Sequence, residues 1–274
     1  VVIFGILIIK SVIKEVGTRE KIQRLALELK EANDRLKEMD QIKSDFVTIA
    51  SHQLRTPLTA IKGYASLMLE GSYGKVPEKM KDPLSKLFRS SERMVVMVGD
   101  FLNVSRIERG KIDYEFTKFD LKKIVKELFE EFKLSMEKEG RSDPKLYFDT
   151  EVKGEVFVNG DEGKIKQVLS NLIDNSIKYT PSGFVKIIFS VSEEGEKTAL
   201  VSIKDSGAGM SEETVHKIFE KFNRAKDASR FNTEGSGLGL YVAKEFIKKH
   251  NGRLWAESPG EGKGSTFFVE LPLG

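Results

Sequence analysis

The sequence predicts an α + α/β fold: a long helix with an antiparallel helical hairpin, then an α/β sandwich. Two observations carry this. Between Ile22 and Ile107 the apolar residues recur mostly at steps of three and four, the period of a helix with one apolar face. After Gly110 the pattern breaks into short strand-like runs, amphipathic stretches and glycine-rich turns, which suits helices covering one face of a mostly antiparallel sheet. At 274 residues and 39% hydrophobic, the chain can bury a core and form one to three domains. Lys+Arg 45 against Asp+Glu 42 leaves a net charge of +3, so nothing electrostatic points to nucleic acid as a partner. The absence of cysteine excludes disulfides and thiolate chemistry and fits a reducing compartment. Three histidines, His52, His216 and His250, argue against a His-rich metal site.

Residues 1–9, VVIFGILII, are apolar and not preceded by an initiator Met. A bilayer span needs about 20 such residues, so residues 1–13 read as the end of a truncated transmembrane segment. Lys10, Lys14, Arg19 and Lys21 follow it, as on the cytoplasmic side of a cell membrane. A buried apolar segment is the alternative. Over 14–41 the seam Ile22, Leu25, Leu29, Ala32, Leu36 and Met39 predicts a coiled-coil signal helix of about three heptads. Its phase slips near Asp40, because the next apolar residues are Ile42 and Phe46.

Residues 42–110 read as a hairpin. Its first helix runs to about Leu69 and carries the apolar stripe Ile42, Phe46, Ala50, Leu54, Leu58, Ile61, Ala65 and Met68. His52 lies two positions from both Ala50 and Leu54, hence opposite the stripe and in solvent. Free imidazole titrates near neutrality and can serve as a nucleophile there. A plain surface histidine is the alternative. Pro57 removes one helical hydrogen bond and predicts a bend just after His52. Residues 71–77 are a turn by composition. The second helix has Leu84, Leu87, Met94, Met97, Phe101, Val104 and Ile107 on one side and starts at Pro77 or at Asp82-Pro83. Two such helices leave apolar faces open, which predicts a homodimeric four-helix bundle.

Residues 111–274 form the sandwich. The patterns predict helices over 119–136, 161–179 and 238–250. Strands are predicted over 145–149, 155–158, 184–192, 198–205, 253–258 and 265–271.

Four constellations in this half carry chemistry. Asn171, Asn175 and Lys178 fall at i, i+4 and i+7 on one helix face. Two amides and an ammonium suit phosphate oxygens and a hydrated Mg²⁺; a merely solvated face is the plain alternative. Asp205-Ser206-Gly207-Ala208-Gly209-Met210 follows an apolar strand. Its carboxylate can accept from an exocyclic amine, while Gly207 and Gly209 admit a flat ring close to the backbone; an ordinary turn is the alternative. Phe219 and Phe222 precede Arg224; the aromatics read as packing residues and the guanidinium as a phosphate clamp. Gly235-Ser236-Gly237-Leu238-Gly239 opens a helix, where backbone N–H groups and the positive dipole end favour phosphate. Residues 225–234, mostly polar and without an apolar period, read as a lid.

In this order and spacing the motifs resemble those of the sensor histidine kinases of two-component systems, over essentially all of residues 40–274. SHQLRTPL is similar to the phosphoacceptor box. NLIDNSIKYTP, DSGAGM, FEKFNR and GSGLGLY are similar to the nucleotide boxes, and GKGSTF to the closing one. The resemblance implies an ATP-binding domain of the gyrase/chaperone/histidine-kinase type over 111–274, with ATP and Mg²⁺ as cofactors. It makes His52 the phosphoacceptor, which then phosphorylates an aspartate of a response regulator receiver domain. It makes Asn175 a Mg²⁺ ligand and puts Asn171 on the same nucleotide-binding face. Lys178 and Arg224 would meet phosphates, Tyr179 would flank the adenine and Asp205 would bind its amino group. Gly207 and Gly209 would admit the ring; Gly235, Gly237, Leu238 and Gly239 would hold lid and phosphates.

One departure stands out. The family usually has Glu or Asp directly after the histidine, as a base for the imidazole proton; here it is Gln53, which cannot take a proton. Slower autophosphorylation rather than none is expected. Thr56 matches the position that orients water for phosphatase activity, and a simple helix residue is its alternative. Related ATPases place Glu where Asn171 stands, to activate water, so transfer to a side chain is favoured over hydrolysis. The competing expectations are a non-catalytic or phosphatase-dominant dimeric scaffold of the same family, and an ATPase of the related fold.

Overall fold

The computed structural model describes residues 2–192, 197–223 and 236–274, with side chains from residue 14 onward except at positions 16, 44 and 48. It divides into two compact units, Val1–Thr56 and Pro57–Gly274.

Helix α1, Val2–Leu69, is continuous and contains Pro57. In the first unit its surface is laced by i, i+4 pairs such as Arg19–Glu15 and Arg24–Glu28, which stabilise a helix by only a few tenths of a kcal/mol each, about 0.2–0.5. The heptad seam meets nothing: Ile22, Leu25, Leu29, Leu36 and Met39 are all exposed. Among the described residues no helix is long and apolar enough to cross a membrane.

In the second unit α1 turns through residues 70–77 into α2, Glu78–Glu108. Of the two proline starts the first is the one used: Pro77 is the N-cap and its carbonyl accepts from Met80. Pro83 lies inside the helix. The end is a Schellman motif, with Gly110 at φ +62°. Its N–H reaches Ile107 and that of Lys111 reaches Arg106, satisfying two terminal carbonyls. Lys62 joins the two helices by an ion pair to Glu92 at 2.6 Å and lies over the Phe88 ring.

The apolar stripe that the sequence reads as buried is covered only in part. Leu58 and Ala65 are buried, whereas Ile61 and Met68 on the same stripe are exposed, as are Leu87, Met94, Met97 and Phe101 of α2. A two-helix hairpin can cover one line of each helix, and the adjoining apolar lines are left open.

The sandwich begins with a strand the periodicity missed. β1, Thr117–Asp120, occupies the first residues of the helix predicted from 119, and α3 starts at Leu121 and runs to Lys138. Asp120 ends the strand and caps the helix, accepting from Lys122 N–H. Next come β2 (Lys145–Thr150), β3 (Phe157–Gly160), α4 (Glu162–Lys178), β4 (Phe184–Ser192), β5 (Thr198–Asp205) and α5 (Glu212–Lys217). The chain closes with α6 (Gly239–Lys249), β6 (Arg253–Glu257) and β7 (Ser265–Pro272). β3 begins two residues later than the predicted strand, and α5, capped by Ser211, is too short for periodicity to reveal.

Five strands form one sheet in the order β2-β4-β5-β7-β6, and β1 pairs with β3 in a small second sheet. Only β2 and β4 run parallel within the large sheet. Its inner face follows the strand period: Val185, Ile187 and Phe189, then Ala199, Val201 and Ile203, then Phe267, Val269 and Leu271, all buried. Against them sit Leu128 of α3, Leu169 and Leu172 of α4, and Phe246 of α6.

His250 fastens this layer. It is buried, its Nε2 accepts from Asp161 N–H at 2.8 Å, and its Nδ1 donates to the Phe246 carbonyl at 2.7 Å. That donor–acceptor pattern fits the neutral ring. Asp161 in turn caps α4 by accepting from Lys164.

Candidate functional site

The register of β5 brings Asp205 inward. It is two residues beyond Ile203 in the alternation that buries Ala199, Val201 and Ile203, so its carboxyl enters the helix-covered side at the strand's end. Asp205 is 5% exposed, and its Oδ1 accepts from Gly207 N–H at 2.8 Å and Ser265 N–H at 3.2 Å. Burial pushes this carboxyl above the usual carboxylate range, and the two backbone bonds partly offset that.

Two glycines hold the loop after Asp205 in close contact with its neighbours. A Cβ on Gly207 would lie 2.2 Å from the Tyr179 carbonyl oxygen, and one on Gly209 would lie 2.2 Å from that of Gly260. Gly209 also has φ +64°, a region side chains rarely enter. Ala208 N–H donates to Tyr179 and Gly262 N–H to Ala208. The loop is thus held between the end of α4 and the turn leading into β7. In this role the glycines serve backbone packing; Ala208 and Gly209 also border open space, whereas Gly207 does not line it.

That space is a cavity of about 580 Å³, lined among others by Asn171, Asn175, Lys178, Tyr179, Asp205 and Gly209. Gly237 and Gly239 line it too. α4 places Asn171, Asn175 and Lys178 on the cavity face, as the i, i+4, i+7 spacing requires. Asn175 donates to Asn171 Oδ1 at 3.4 Å, while Asn171 Nδ2 is buried without a partner. An unpaired buried amide donor is costly unless a ligand atom accepts from it. Lys178 is bonded to Asp174, which also lines the cavity and was not singled out by the sequence. Its motif position inside NLIDNS was the available signal.

The glycine-rich box ends in α6, with Leu238 as its N-cap. Gly237 stands at φ +68°, and a Cβ there would meet the Phe222 backbone at 3.1 Å; one on Gly239 would meet the Asn171 amide at 3.0 Å. Phe219 is buried, as a packing residue should be, but Phe222 is 65% exposed. Its backbone is left-handed, φ +59°, and its N–H bonds to Gly237, which turns the ring away from the core. Arg224, Gly235 and the predicted lid lie outside the described residues.

On α1, in the other unit, His52, Gln53 and Thr56 are all exposed. The Thr56 hydroxyl donates back to the His52 carbonyl at 3.3 Å. Among the described residues no three His, Cys, Asp or Glu side chains cluster as a metal site. A Mg²⁺ here would therefore rely on phosphate and water oxygens plus an amide such as Asn175, a donor set that the ion accepts.

A family described as "Histidine kinase-, DNA gyrase B-, and HSP90-like ATPase" matches residues 160–274, and "His Kinase A (phospho-acceptor) domain" matches residues 42–110. The chain belongs to the sensor histidine kinases. It is 33% identical over 241 residues to the sensor histidine kinase WalK of Bacillus subtilis, covering 85% of this chain and 37% of that protein. With the WalK kinase of Staphylococcus aureus it shares 32% over 238 residues, 86% of this chain and 55% of the relative. The chain thus spans about a third to a half of these relatives. Among solved structures, the Acinetobacter baumannii histidine kinase AdeS superposes with a TM-score of 0.54 at 25% identity, covering 81% of this chain and 98% of that one. ShkA, solved with AMPPNP, shares the fold with a TM-score of 0.64 at 23% identity, over 84% of this chain and 46% of that one.

Proposed function

We propose that this chain is the kinase core of a two-component sensor, using Mg·ATP to phosphorylate its own His52. The observation that carries this is the cavity in which Asp205, Ala208, Gly209 and the unpaired Asn171 amide converge. In this reading the inward carboxylate of Asp205 accepts from the adenine amino group, and Tyr179 flanks the ring. Asn171, Asn175 and Lys178 face the phosphates, with Asn175 supplying the protein oxygen to Mg²⁺. Gly237 and Gly239 offer amides at the start of α6, where Leu238, the N-cap, gives its own N–H to the Ser236 hydroxyl; Arg224 and Gly235 join them by their place in the motifs. In the transfer a ring nitrogen of His52 forms the P–N bond as the bond from γ-phosphorus to the bridging oxygen breaks. ADP leaves and the ring proton passes to solvent. The phosphoryl group then moves to an aspartate of a response regulator's receiver domain.

The open apolar faces of α1 and α2 support a homodimer. The apolar residues 1–9 followed by Lys10, Lys14 and Arg19 support a position at the cytoplasmic face of a membrane. Gln53, lacking a proton-accepting carboxylate, supports a second activity: Thr56, one turn after His52, orients water for dephosphorylation of the regulator, with the balance shifted toward phosphatase. The test is labelling from γ-³²P-ATP with wild type and His52→Ala. Acid-labile label is expected only in wild type, and label that survives the substitution rules out His52 as acceptor.

A further inference from the structure

The cavity has one wall that the nucleotide motifs do not supply. Helix α2 contributes Glu92, Arg93 and Asp100 to its lining. Most charged groups there have charged partners: Glu92 pairs with Lys62, Lys178 with Asp174 and Arg141 with Glu139, while Arg93 donates to the Ser90 hydroxyl. The partner of Asp100 is neutral. Its Oδ2 accepts from the Ser236 hydroxyl at 3.1 Å, and that hydroxyl oxygen accepts from Leu238 N–H, the N-cap of α6, at 3.2 Å. Burial pushes the Asp100 carboxyl upward and the Ser236 bond pulls it back. Two turns further along α2, Glu108 forms an ion pair with Lys221, whose ammonium also lies 4.9 Å from the centre of the Tyr241 ring. Thus α2 grips the glycine-rich box at Ser236 and the preceding box at Lys221.

We propose that Asp100 is a nucleotide-sensitive latch. With the cavity empty, it ties Ser236 and the start of α6 to the second hairpin helix. The phosphates of a nucleotide bound at the α6 N-terminus bring several negative charges next to this carboxylate. Like charges so close, in a partly desolvated site, repel, so nucleotide and latch exclude one another. Binding is weakened by the latch, and binding in turn frees the catalytic domain from α2, as reciprocal linkage requires. The inference rests on the nucleotide reading of the cavity.

Asp100→Asn separates charge from hydrogen bond, because its amide oxygen still accepts from Ser236. This variant should bind a fluorescent ATP analogue more tightly, by at least about five-fold, the scale of one pair of unit charges about 4 Å apart in bulk water. Docking is read separately. The chain has no cysteine, so Glu108→Cys with Lys221→Cys gives one pair for a short bismaleimide. Cross-linking should be efficient without nucleotide and fall on adding Mg·ATP, and it should fall less when Asp100→Asn is added. Unchanged affinity in Asp100→Asn, or cross-linking indifferent to Mg·ATP, overturns the latch while leaving the nucleotide site standing. Failure of the wild-type chain to bind the analogue overturns the nucleotide reading itself.

Discussion

In the proposed reading, Asp205 serves binding at the expense of the fold. Its carboxyl is held above the ordinary range mainly by burial, so ionising it costs more in the folded state than in the unfolded chain. The sign follows: this group's contribution to stability is full below the unfolded carboxylate value and is lost as pH rises through the folded one. Asp205→Asn keeps the acceptor for Gly207 and Ser265 without the charge. Thermal unfolding of the nucleotide-free variant at neutral pH should therefore occur at or above the wild-type temperature. Its nucleotide affinity should fall about ten- to hundred-fold, the worth of a hydrogen bond to a charged group; titration with a fluorescent analogue checks this. Gly207→Ala should do the reverse kind of damage. A Cβ 2.2 Å from a backbone oxygen forces the loop to shift, at a cost of about 1–3 kcal/mol, visible as a lower urea midpoint. At the acceptor, Gln53→Glu restores a base beside His52. Phosphohistidine should form about ten-fold faster or more, and equal rates would show that the carboxylate is dispensable here.

Among the elements, α2 has two jobs on different faces. One face bears Asp100 and Glu108 toward the nucleotide boxes; another bears Met94, Met97 and Phe101, which remain exposed in the single chain. Large apolar side chains in a row are costly in water, roughly 25 cal/mol per Å², and a second copy supplies a matching surface. Ile61→Glu with Met94→Glu should convert a dimer to a monomer in sedimentation experiments. Far-ultraviolet circular dichroism should stay near wild type, because neither side chain belongs to the sandwich core. The coiled-coil stretch of α1 follows the same logic, its seam from Ile22 to Met39 being exposed throughout.

For the whole molecule, the sandwich holds most of the buried hydrophobic core. Phe246 is fully buried between α4 and the sheet, and its carbonyl anchors His250. Truncation to alanine should cost about 3–5 kcal/mol. The structure links this core to the cavity through short paths. His250 holds Asp161, Asp161 caps α4, and α4 carries the Asn171, Asn175 and Lys178 face. A nucleotide binding the folded state alone should raise the unfolding temperature in proportion to the logarithm of its concentration.

How much of this could be read from the chain differs by element. The long strands β4 and β5 were legible to the residue, because alternation over eight or nine positions leaves one register. α4 and α6, whose apolar faces repeat over several turns, were legible to within one residue at each end. β1 was not: four residues hold too little period, and Phe119 fits a helix as well as a strand. Phe222 misled because its backbone angle, which no composition reveals, turns an aromatic residue outward. The site divides in the same way. The amide face of α4, the Asp205 loop and the glycine box were legible as motifs from residue type and spacing, and Asn171, Asn175, Lys178, Asp205, Gly237 and Gly239 line one cavity. The tertiary structure alone decided which neighbours those groups meet. It buried Asp205 through strand register, set Gly207 against Tyr179, and brought Asp100, 136 positions away in the chain, to Ser236. Local chemistry repeats within a few residues and can be read along the chain; contacts between distant segments exist only once the sheet and helices have packed.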